Sequence, residues 1–124
     1  MTQLAYQAML EQMTDSIIFA DEKGVIRFWN TASEKMFGFS AAEALGQSLD
    51  IIIPEKLRAP HWRGFYAAVQ SGKTKHDGKA TRTRALHKNG EFIYAEVSFC
   101  LIKDEHGTVL GSLSSARPAA PKVA

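Results

Sequence analysis

The spacing of apolar residues along the chain changes repeatedly, and each change marks the edge of an element. Residues 3–13, QLAYQAMLEQM, set Leu4, Ala8 and Met13 at helical steps, with Tyr6, Met9 and Leu10 widening the stripe, which predicts an N-terminal helix within 1–13. SIIFAD and VIRFWN follow as short runs rich in Ile, Val and Phe, separated by Asp21-Glu22-Lys23-Gly24. The glycine ending that linker suits a tight turn, so the two runs read as a β-hairpin.

From Asn30 the period becomes helical. Asn30 is placed to cap the amides of TASEKMF, whose Ala32, Met36 and Phe37 fall on one side. Ser40 and Glu43 form a capping-box pattern that opens a second short helix, which Gly46 closes. A longer helix begins near Glu55, after Pro54, and ends at Gly72; Pro60 is expected to distort it or split off an initial turn. On this helix Leu57, His61, Phe65 and Ala68 recur at three- and four-residue steps and share one face, which must look inward.

The last third alternates. Lys79–His87 and Phe92–Ile102 read as strands joined through Asn89-Gly90, and Thr108–Ser115 as a third strand after the turn Asp104–Gly107. In the second of these, Ile93, Ala95, Val97, Phe99 and Leu101 form the core-facing set, while Phe92, Tyr94, Glu96, Ser98 and Cys100 face outward. The ending ARPAAPKVA, residues 116–124, reads as a disordered tail. The expected architecture is α+β: one five-stranded antiparallel sheet with helices on one face and an N-terminal helix.

Composition narrows the class. At 124 residues and 45% hydrophobic, the chain suits one compact domain. No apolar run approaches the roughly 18 residues that span a bilayer, and the start lacks a secretory signal, so the expected location is cytoplasmic with no membrane partner. A net charge of +2 does not call for nucleic acid, and Lys73, Lys75, Lys79, Arg82, Arg84 and Lys88 read as a solvated strand face. The single cysteine, Cys100, excludes an internal disulfide and a CxxC site. No GxGxxG, P-loop or HExxH motif is present, and Glu34 and Glu43 read as surface and capping residues, so the chain is not read as an enzyme. His76, His87 and His106 lie in or beside turns without metal-ligand spacing and are expected to be exposed.

The run DSIIFADEKGVIRFWNTASEKMFGFSAAEALGQSL, with the IIPEKLR helix and the HKNGEFIYAEVSF hairpin, resembles a PAS domain of the sensory-box type over residues 14–115. The resemblance implies the PAS fold and a sensory role, while the family's ligands range from haem and flavins to small acids or none. No cysteine stands in an NCRFC-like motif, which argues against a flavin-adduct light sensor. The haem-PAS oxygen sensors of rhizobial kinases and direct-oxygen-sensing phosphodiesterases carry an iron-ligating histidine in a similar LRxxH segment, matched here by Leu57-Arg58-Ala59-Pro60-His61. That match makes His61 the candidate metal ligand and haem b the candidate cofactor; a hydrogen-bonded core histidine is the other reading. The resemblance sets Lys79 at those sensors' distal methionine position and Thr81 at their oxygen-stabilising arginine position. Arg82, one residue on, points to the opposite face.

The expected function is therefore a signal-sensing module that binds a small ligand or cofactor and relays its occupancy through protein contacts; the alternative is a ligand-free dimerisation or docking module. The candidate pocket residues are His61, Trp62, Phe65, Lys79, Thr81, Ile93, Val97 and Phe99. A homodimer through the N-terminal helix and the outer sheet face is expected, the helix packing on its own sheet being the alternative. A signalling effector would act in trans, and Met1 points to a stand-alone protein or an N-terminal input domain.

Overall fold

The computed structural model describes residues 4–75 and 78–121. Its helices are α1 (Tyr6–Gln12), α2 (Thr31–Phe37), α3 (Ala41–Ala44) and α4 (Glu55–Ser71), and its strands are β1 (Ser16–Asp21), β2 (Ile26–Trp29), β3 (Thr81–Leu86), β4 (Phe92–Lys103) and β5 (Val109–Pro118). The strands form one antiparallel sheet in the order β2-β1-β5-β4-β3, so the last strand lies at the centre, between the two hairpins.

Local chemistry explains the first half. Asp21 Oδ1 accepts from the Lys23 and Val25 amides and closes the β1–β2 turn, where Gly24 takes φ +79°. Asn30 caps α2 through Ser33 N, and Ser40 with Glu43 forms the complete capping box of α3. Lys88 pairs with Glu43 and holds its carboxyl down to about 2, chiefly through their hydrogen bond, so the β3–β4 turn is tied to α3.

Asn30 does more than cap. It is fully buried; its Oδ1 accepts from Ile17 N at 2.9 Å and Ser33 N at 3.0 Å, and its Nδ2 donates to the Leu10 and Asp15 carbonyls, both at 3.0 Å. One amide thus joins β1, α2 and the end of α1, and its burial is matched by partners for every polar atom. Trp29 packs beside it, donating from Nε1 to the Phe39 carbonyl at 2.9 Å.

Several boundaries differ from the sequence reading. α4 is one continuous helix of 17 residues with Pro60 inside it, not a helix split there. Pro60 lacks one helical donor, but burial of Phe65 and Ala68 on the following turns holds the rod together. A 3-10 turn, Leu49–Ile52, precedes it, with the Ser48 side chain accepting from the Asp50 amide. β5 runs to Pro118, past the expected end at Ser115, so 116–118 are strand and not disordered tail. Ala116 is buried there and paired with Ser16 and Val97, and Arg117 pairs with Asp15 at 2.8 Å. Pro118 sits at the strand's end, where a missing donor is tolerated. Residues 122–124 of that predicted tail, residues 1–3 of the predicted leading segment and His76 lie outside the described residues. α1 buries none of its own residues, and His87 is half-buried beside Gly38 rather than exposed.

Candidate functional site

A cavity of about 450 Å³ lies between α4 and the inner face of the sheet. Strand register explains its floor. Cα partners Thr81↔Val97, Phe99↔Ser114 and Ser114↔Ile18 put side chains from four strands on one surface. β5, at the centre, contributes only Ser112 and Ser114 to that floor, and such short side chains leave the space above it unfilled. Leu49, Ile52 and Ile53 from the 3-10 segment close one side. Pro60, His61, Gly64, Phe65 and Ala68 form the helical wall, at the steps expected for one helix face.

The His61 ring meets Trp62 edge-on at 4.7 Å and lies near-parallel to Phe65 at 6.0 Å. Its Nδ1 is buried without a hydrogen-bond partner among the described residues. Burial pushes the imidazole below its ordinary value of 6.5, and the Asp50 carboxylate opposes this more weakly. The ring is therefore neutral at pH 7 and keeps a nitrogen lone pair.

Six of the eight sequence-predicted residues come together: His61, Phe65, Lys79, Thr81, Val97 and Phe99 all line the cavity. The other two do not. Ile93 packs against the main core, in register with Ala85, and Trp62 turns toward the β1–β2 turn. The Trp62 Nε1 donates to Asp50 Oδ1 at 2.8 Å, its ring stacks on Tyr66 at 5.6 Å, and a Cβ at Gly24 would collide with the indole. Trp62 thus fixes α4 against the 3-10 segment and the hairpin turn, a role set by the i+1 offset from His61 around the helix. Leu57 shares the expected face but does not reach the cavity.

On β3, Thr81 and Thr83 line the cavity and Arg82 does not, as alternation requires. Arg84 instead lies over the outward-facing Phe92 ring at 4.9 Å. Cys100 is exposed, as expected. The sequence reading passed over Gly64, Lys75, Ser112, Ser114 and the three aliphatic residues of the 3-10 segment and its end. The signal for Gly64 was its three-residue step from His61; the serines looked like a polar strand face and gave none.

Among the described residues no group of three or more His, Cys, Asp or Glu side chains is placed to hold a metal ion. A metal at His61 would need most of its ligands from elsewhere, as an iron porphyrin provides; the neutral, unpaired imidazole beside an apolar cavity fits that group. No helix among the described residues is long and apolar enough to cross a membrane.

The chain is 38% identical over 55 residues to the sensor protein FixL of Bradyrhizobium diazoefficiens, covering 44% of this chain and 11% of that protein. It is 26% identical over 96 residues to the oxygen sensor protein DosP of Escherichia coli, covering 77% of this chain and 12% of that protein. It thus spans only a small part of either relative's length. Among solved structures, the PAS domain of a protein from Colwellia psychrerythraea superposes with a TM-score of 0.80 at 24% identity, covering 92% of this chain and 93% of that one. The family profile described as the PAS fold matches residues 4–119, and the chain belongs to the PAS family of sensory domains.

Proposed function

We propose that this chain is a signal-sensing PAS module, not an enzyme, whose cavity between α4 and the sheet would hold haem b, with His61 as the residue that would hold its iron. The observation that carries the reading is a neutral imidazole on the helical wall of a largely apolar cavity. Haem would supply an iron centre whose open position or oxidation state registers a diatomic gas or a redox change. His61 would hold the iron through its lone pair, Phe65, Val97 and Phe99 would exclude water, and Thr81 offers a hydroxyl on the strand side. Arg82 faces away, so no guanidinium of β3 assists oxygen, and carbon monoxide, nitric oxide or redox state serves equally as the signal. The similarity to a sensor protein and to an oxygen sensor protein supports the same class.

Occupancy favours one packing of α4 against the sheet, a population shift read at the outer surface. That surface carries exposed apolar side chains: Tyr6 is 64%, Met9 59%, Leu4 and Phe92 each 55% exposed. A cytoplasmic homodimer through α1 and the outer sheet face, signalling to an effector in trans, uses it. A ligand-free docking module would be expected to fill the space that the serines of β5 leave open. Titrating purified protein with haemin tests the proposal. The wild type should develop a sharp Soret band that His61→Ala abolishes while its far-UV circular dichroism stays unchanged; a free-haemin spectrum in the wild type would overturn it.

A further inference from the structure

The cavity has a charged end. Of the described side chains that line it, Lys75 and Lys79 are the two lysines, and no acidic residue among the described residues lines it. Both lysines are exposed, which places them at its rim, and neither forms an ion pair among the described residues. Arg82 and Arg84, from the same basic stretch of sequence, do not line the cavity. The basic stretch is thus divided: its arginines belong to the solvated strand surface and these two lysines to the cavity. Thr81 and Thr83 line the cavity on the same strand side; Thr81 offers a hydroxyl there, while the Thr83 hydroxyl donates to the Arg84 carbonyl at 3.4 Å.

We propose that Lys75 and Lys79 form a cationic rim that receives the carboxylate of a ligand whose apolar body fills the cavity. The apolar walls select the body, and the two like charges select an anionic end over a neutral or cationic one. The inference deepens the proposed function and rests on the cavity being a ligand site. When haem is the occupant, the rim takes its propionates; when a monocarboxylic acid with an alkyl chain is the occupant, the rim takes its single head group.

Paired charged and neutral probes test it. Haemin and haemin dimethyl ester are titrated by visible absorption, and octanoate and octan-1-ol by calorimetry, into the wild type and into Lys75→Gln/Lys79→Gln. Exposed ion pairs are individually weak, so two together give roughly a tenfold preference for each carboxylate over its neutral partner in the wild type. The double variant should reduce that preference to within about twofold, with folding intact because both sites are on the surface. Equal binding of charged and neutral probes to the wild type, or a preference that survives in the double variant, overturns the rim. If haemin gives no Soret band but octanoate shows a lysine-dependent preference, the haem reading falls and the rim stands. If haemin binds through His61 and its ester binds as tightly, the rim falls and the haem reading stands. Absence of binding by all four probes overturns both.

Discussion

At the β1–β2 end of the sheet, Trp29 is 2% exposed, lies 5.6 Å from Phe37 and 6.4 Å from Phe39, and has its indole N–H satisfied. Beside it Asn30 and Ser33 are fully buried with partners for their polar atoms. Toward the β3–β4 end the same face carries Thr81, Val97 and Phe99, none of them fully buried, under a cavity of about 450 Å³. The sheet is continuous from one end to the other, so the difference comes from side-chain size and from what α4 sets above it. One end spends its residues on a single packed arrangement, and the other keeps volume in reserve. A fold that must admit a guest without losing its shape needs both, with the packed end supplying the rigidity.

The largest effect expected from that contrast is on stability. Trp29→Ala should cost about 3–5 kcal/mol, as truncation of a fully packed aromatic does. Phe99→Ala, whose ring borders empty space and so has fewer partners to lose, should cost about 1–2 kcal/mol. Urea denaturation of both variants measures the gap, and equal costs would mean that the two ends are packed alike.

A smaller effect follows from the imidazole. Burial depresses its folded-state value below the ordinary 6.5, so as pH falls through 6.5 the unfolded chain takes up the proton first. The neutral ring's contribution is present above 6.5 and is lost as pH falls from there toward the folded value. Compared with His61→Gln, the wild type should lose more stability on acidification through that window, and parallel pH profiles would show that the ring is not held away from water. Asp50 is the acidic group acting on it and reduces the loss without reversing it.

Much of the packed end was legible because its signals are local. The turn at Gly24, the cap at Asn30 and the Ser40–Glu43 box each depend on residues within a few positions of one another. The full reach of Asn30, to the Leu10 and Asp15 carbonyls, was not, since nothing in the sequence fixes where α1 ends in space. At the open end, helix periodicity found His61 and Phe65, and strand alternation found Thr81, Val97 and Phe99. Alternation also misled, because Ile93 shares the inward phase of Val97 yet lies far enough along β4 to join the main core. The cavity itself depends on long-range register, with Ser112 and Ser114 opposite Ala20 and Ile18, and no local pattern reports that. The continuity of α4 through Pro60 and the strand at 116–118 escape a local reading for the same reason, since tertiary burial of Phe65, Ala68 and Ala116 decides the outcome.

The central claim is that the open end is a binding site and not merely loose packing, and Gly64 gives the most direct access to it. It lines the cavity one turn from His61, has no positive φ, and a Cβ there meets nothing within 4 Å. Gly64 is exposed, so Gly64→Leu sets a bulky side chain at the cavity's mouth and improves helix propensity by several tenths of a kcal/mol. The decisive measurement is the haemin titration of Gly64→Leu beside the wild type, followed at the Soret band. A variant at least as stable as the wild type that binds haemin more than about tenfold weaker is the predicted result, the added side chain costing on the order of 1.4 kcal/mol or more of binding. Unchanged affinity in a folded Gly64→Leu protein would contradict it.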